Sequence, residues 1–156
     1  FCYYHYWFKD GKKLLEKPLE QMLHNHQITI PFCLCWANEN WTKRWDGGNN
    51  EIIVEQDYGN EKDWKIHFDY LLQFFRDERY ITLDEKPVML IYRPEEIPYV
   101  NEMLKYWNKR AKECGLKGVC FMIQNGTWFF HPSYEMGEFS YQIKFYPMFS
   151  TNLQKL

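Results

Sequence analysis

The chain has 156 residues, 46% apolar and 20% aromatic, with a formal net charge of −2. That length and apolar content predict one domain with a real core, not a disordered segment. With no basic block and no apolar run of bilayer length, the sequence predicts neither a nucleic-acid partner nor a transmembrane segment, and no secretory leader is visible.

FCYYHYWF, residues 1–8, is short and aromatic-rich and predicts a strand entered part-way, as in a stretch of a longer chain. KKLLEKPLEQMLHNH (12–26) spaces Leu15, Leu19, Met22 and Leu23 for a helix, with Pro18 near its first turn. ITIPFCLCWAN (28–38) is apolar without alternation, as expected of a parallel strand covered on both faces. A long polar loop follows. In NEKDWKIHFDYLLQFFRDERY (60–80), Trp64, Phe68, Leu71, Leu72 and Phe75 recur at helical spacing behind Asn60, a predicted N-cap.

KPVMLIYRP (86–94) predicts a third buried strand closed by Pro94. Residues 97–115 carry Val100, Met103, Leu104, Trp107 and Ala111 on one helical stripe ended by Gly115. GVCFMIQNG (118–126) predicts a fourth strand, and residues 127–149 are less regular, a loop with part of one more strand.

Strands alternating with helices predict an α/β fold with a parallel sheet and right-handed crossovers. The turn KDGKK lacks the glycines of a dinucleotide fold, and no phosphate-binding P-loop occurs. Polar and aromatic residues crowd the carboxyl ends of all four strands, the pattern of a (β/α)8 TIM barrel. The expectation is about half of such a barrel: one partial domain over residues 1–156, truncated at both ends.

The five cysteines, Cys2, Cys33, Cys35, Cys114 and Cys120, form no disulfide framework. Four lie in apolar runs as small hydrophobes, which predicts a reducing, cytoplasmic setting.

WANENWTKRWDG, Trp36 to Gly47, places three of the seven tryptophans among amides and charges. A pyranose has an apolar C–H face and a belt of hydroxyls, so its site needs aromatic planes beside bidentate polar groups. Trp36, Trp41 and Trp45, with Trp7 and Tyr6, are candidates to stack on sugar rings, and Asn38 and Asn40 to bond hydroxyls. Glu39 is the candidate acid/base, with Asp46 a possible second carboxylate; alternatively Glu39 holds Arg44 or Arg93 in place. Counted by twos with Met89 and Ile91, Arg93 should point into the barrel mouth beside Tyr92, and Gln124 is similarly placed after Cys120 and Met122. His5 reads as a core histidine or a site residue. No D-x-D pair occurs, and neither a metal nor a cofactor is expected.

Three functions compete. An enzyme on glycosidic bonds needs two converging acids, and a non-catalytic glycan-binding barrel needs none. A metabolic barrel enzyme would need a glycine-rich phosphate cradle, which these residues lack.

FCYYHYWFKDGKKLLEKPLEQML, PFCLCWANENWTKRWDG and DERYITLDEKPVMLIYRP together resemble the WbsX-type glycosyltransferase family, also called glycoside hydrolase family 99-like. The resemblance runs through residues 1 to 125 and is most specific at CWANENWT. It implies a bacterial (β/α)8 barrel acting on O-antigen and lipopolysaccharide glycans, by transfer or hydrolysis, and kinship to retaining endo-α-mannosidases. The family's late acidic motif, E/N-W-N-E-W, has no counterpart after residue 125. This implies that the main catalytic acids lie outside this stretch, and that the partner is a glycan or sugar donor.

Overall fold

A computed structural model describes residues 1–43, 51–125 and 137–144. The chain forms β1 (Cys2–Trp7), β2 (Lys13–Leu14), α1 (Glu16–His24) and β3 (Cys33–Trp36). A hairpin of β4 (Trp41–Thr42) and β5 (Ile52–Val54) precedes α2 (Glu61–Phe75). β6 (Thr82–Leu83), β7 (Lys86–Ile91), α3 (Val100–Glu113), β8 (Cys120–Asn125) and β9 (Phe139–Lys144) complete the order.

Helix α2 starts where Asn60 predicts. Its side-chain oxygen accepts from Lys62 N at 3.0 Å, and Asp63 answers by accepting from Asn60 N at 2.9 Å. The helix stops at Phe75, short of the predicted 80, because Asp77 folds the chain into a turn by accepting from Arg79 N at 2.9 Å. The strand predicted over 28–38 also shortens. Arg79 donates to the carbonyls of Met22, Asn25 and Ile28 at 3.2, 3.1 and 2.7 Å, capping α1 and taking groups a strand would need. The expected polar loop holds the β4–β5 hairpin, and β2 and β6 are short antiparallel additions.

The main sheet runs β2-β1-β3-β7-β8-β9, with β6 paired onto β7. The pairs β1–β3, β3–β7, β7–β8 and β8–β9 are parallel. Between β3 and β7, the buried Tyr80 hydroxyl accepts from Leu34 N at 3.1 Å and donates to Val88 O at 2.8 Å.

Side chains alternate across this sheet. His5, Trp7, Leu34, Trp36, Met89, Ile91, Phe121 and Ile123 turn to the helices and join Phe68, Leu71, Phe74, Met103, Leu104 and Trp107 in the core. Each fully buried large side chain there contributes on the order of 1.5–3 kcal/mol. On the opposite face, Cys33, Val88, Leu90, Met122 and Ile143 border an apolar groove of about 490 Å³. Apolar residues on both faces explain why the strands read as unbroken runs. Cys2 corrects the expectation for the cysteines: it lies on the groove side and is exposed, whereas Cys33, Cys35 and Cys120 are buried.

Candidate functional site

Where β1, β3 and β7 end, the chain leaves the sheet and encloses a cleft of about 1110 Å³. Tyr4 and Tyr6 from β1 and Tyr92 after β7 line its base. Trp41 and Ile53 reach it from the β4–β5 hairpin, and Glu39, Asn40, Gln56 and Glu96 supply its polar groups. Trp41 is held edge-on by Tyr6, with ring centres 5.3 Å apart, and by Phe8 at 5.4 Å, and stays half-buried. Asn40 Oδ1 accepts from Gln56 N at 2.6 Å, tying the loop after β3 to the hairpin.

Glu39 keeps 44% of its side chain exposed and sets Oε2 3.4 Å from Arg93 Nε. Arg93 also approaches Glu95 at 3.4 Å and lies 5.8 Å over the Tyr92 ring. Its placement follows from another route than strand alternation, because β7 ends at Ile91 and Met89 and Ile91 face the helices. Asn38 fixes it instead. Its Nδ2 donates to Arg93 O at 2.7 Å and its Oδ1 accepts from Arg93 N at 2.8 Å, so the side chain prolongs the β3–β7 ladder. Partial burial raises the phenol pKa values of Tyr6 and Tyr92, and the charge of Glu39 adds to both. Both phenols therefore remain donors at neutral pH.

Four expected site residues are placed away from the cleft surface. Asn38 is fully buried and both ends of its amide are occupied by Arg93. Trp36 is 1% exposed, donates Nε1–H to Trp7 O at 3.1 Å, and has no open ring face. Trp7 stacks flat on His67 at 4.5 Å between ring centres. His5 is buried with its Nε2 2.8 Å from His67 Nε2, against Tyr70. The physical reason is shared: on a strand covered by helices, alternate residues belong to the core. Burial, with the Lys13 charge second, pushes the His5 pKa down to about 3. Burial, then His5, puts His67 well below its usual value.

Gln124 lies beneath the cleft. It accepts from Cys35 Sγ at 2.9 Å and donates to Tyr4 OH at 2.9 Å, and with Tyr4 it borders the apolar groove. Arg44, Trp45 and Asp46 lie outside the described residues.

Sequence reasoning missed Tyr4, Gln56, Tyr58 and Glu96 on the cleft and His67 in the core. The GGNN run in the sequence between WT and IIV was a readable hairpin signal that would have brought Ile53 and Gln56 to the site. Nothing local pointed to Tyr58, whose hydroxyl donates to Asn38 O at 2.8 Å.

The fold and the cleft define a mostly parallel α/β protein with an aromatic, carboxylate-bearing site at the carboxyl ends of its strands, where such folds build ligand sites. Residues 1–155 match the family described as glycosyltransferase WbsX, and the chain belongs to that family. It is 32% identical over 151 residues to uncharacterized protein WxcX from two strains of Xanthomonas campestris pv. campestris. The match covers 97% of this chain and 21% of each relative, so the chain spans about a fifth of their length. No solved structure matches. Among the described residues no helix is long and apolar enough to cross a membrane.

Proposed function

We propose that this chain is the substrate-binding part of a carbohydrate-active enzyme that makes or breaks glycosidic bonds in bacterial surface polysaccharide, O-antigen or lipopolysaccharide. The observation that carries the reading is the cleft itself. Tyr6, Trp41 and Tyr92 offer aromatic planes around Glu39, with Asn40 and Gln56 within the same walls. A sugar ring needs that combination: π-faces against its C–H groups, and donors and acceptors at its edge. The family to which the chain belongs is named for glycosyl transfer.

In this reading Glu39, oriented by Arg93, is the candidate acid/base of the cleft with Glu96 on the same walls, and the main catalytic acids lie in parts of the protein beyond these residues. Trp41, Tyr6, Tyr92 and Asn40 bind sugar. Arg44, Trp45 and Asp46, next in the sequence, remain candidate substrate contacts, and Arg93 and Gln124 hold the cleft. His5, Trp7, Trp36 and Asn38 support it from beneath. The strands β1, β3, β7, β8 and β9 follow one another across the sheet in chain order. That succession suits an arc of a (β/α)8 barrel better than a doubly wound sheet, whose order reverses. The setting is cytoplasmic, in keeping with cysteines that are all free.

The test is titration of the full-length protein with glycans from its host's surface polysaccharide, following tryptophan fluorescence and product mass in the same samples. Quenching with a lengthened or shortened glycan, and turnover lowered about 100-fold or more in Glu39→Gln, is the expected result. Quenching without turnover favours a non-catalytic glycan-binding barrel. No response to any glycan overturns the sugar-site reading.

A further inference from the structure

We infer that the cleft receives an uncharged, hydroxyl-rich stretch of glycan and turns away anionic groups, whether a sugar carboxylate or a nucleotide diphosphate. This rests on the carbohydrate reading and narrows it.

The charge distribution comes first. Among the described residues lining the cleft, Glu39 and Glu96 are charged and no Lys or Arg is present. The cations nearby each stand opposite a carboxylate. Arg93 lies 3.4 Å from both Glu39 and Glu95, with its Nε short of a hydrogen bond, Lys43 pairs with Glu51 at 2.7 Å, and Lys9 pairs with Glu55 at 2.9 Å. Around this rim Glu39, Glu51, Glu55, Glu95, Glu96 and Asp57 outnumber those three cations. An anionic group entering here loses its water against carboxylates, with no cation among the described lining residues to replace it.

The hydrogen-bonding groups point the same way. Gln56 Oε1 is buried and without a partner, while its Nε2 donates to Asp57 O at 3.1 Å. A buried amide oxygen left open calls for a donor from outside. A sugar hydroxyl is such a donor; a carboxylate or phosphate oxygen is an acceptor and leaves Gln56 Oε1 unsatisfied. Glu39 and Glu96 are acceptors as well, each able to take two hydroxyls from one ring. The phenols of Tyr6 and Tyr92, kept protonated by burial and by Glu39, supply the donors that hydroxyl oxygens need. The site is thus matched to groups that donate and accept at once.

The measurement is fluorescence titration of the full-length protein with neutral manno-, rhamno- and gluco-oligosaccharides, with oligomannuronate and oligogalacturonate, and with GDP and UDP. At about 0.02 M salt the neutral series should bind, with the uronates and nucleotides about tenfold weaker or more. Raising salt to about 0.3 M should narrow that gap by screening. Glu96→Gln, at an exposed position, should narrow it at low salt. Gln56→Ala should weaken the neutral series several-fold and leave the uronates unchanged. Uronates or nucleotides that bind as tightly as neutral sugars, and compete with them, overturn this inference and leave the carbohydrate reading standing. Binding of no sugar at all overturns both.

Discussion

Tyr6 and its neighbours His5 and Trp7 share one strand and end in opposite settings. His5 and Trp7 face the helices, closed in by His67, Tyr70 and Trp36. Tyr6 faces the cleft, half-exposed beside Trp41. Both faces are rich in aromatics, yet the rings do different work. On the helix face every indole and imidazole is packed on another ring, and the indole N–H groups of Trp36, Trp64 and Trp107 donate to backbone carbonyls, as when Trp107 donates to Trp64 O at 2.9 Å. On the cleft face the rings keep open surface and stand among unpaired polar atoms. Aromatic content alone therefore does not tell the two faces apart; an open ring face beside an unsatisfied polar group does.

The contrast is sharpest in stability. Trp107 is fully buried against Trp36, His67 and Phe121, so Trp107→Ala should cost about 3–5 kcal/mol, read as a large drop in the unfolding midpoint. Wild-type stability in that variant would break the comparison.

Acid tests the same face next. His5 and His67 are paired at 2.8 Å as two neutral rings, one donating and the other accepting. Their folded pKa values are depressed, His5 to about 3, whereas the unfolded rings take protons near 6.5. Their contribution is therefore full above about pH 6.5 and is lost as pH falls from there toward about 3, by up to about 1.4 kcal/mol per pH unit for each ring. Unfolding midpoints between pH 7.5 and 4.5 should show the decline, and NMR should find neither ring titrating above pH 5. A ring that protonates at pH 6 in the folded protein contradicts the pairing.

The smallest effect on stability belongs to the cleft. Trp41→Ala should change it by no more than about 1 kcal/mol and still weaken glycan binding about tenfold or more. If both properties fall together, Trp41 is a core residue in the same sense as Trp107, and the distinction between the faces fails.

Much of the architecture was legible because it rests on local rules. Helical spacing around Phe68 and Leu71, the Asn60 cap and the continuous apolar strands follow from short-range periodicity and backbone hydrogen bonding. Within the motif from Trp36 to Gly47, Glu39, Asn40 and Trp41 line the cleft, and Trp36 and Asn38 are buried beneath it. The miss has one cause. A parallel strand apolar on both faces carries no amphipathic signal, so the sequence cannot say which of two adjacent aromatics meets a helix.

The sequence by itself determined the alternation of the main strands and helices, their order and the family, since each is written in spacing and motif. Only the tertiary structure decided which side of the sheet the helices cover. That choice buried His5, Trp7 and Trp36, left Tyr6 and Tyr92 to the cleft, brought Gln56 and Glu96 from distant segments, and made Asn38 a clamp on Arg93. These placements depend on contacts between residues far apart in the chain, and strand pairing and helix docking set them together.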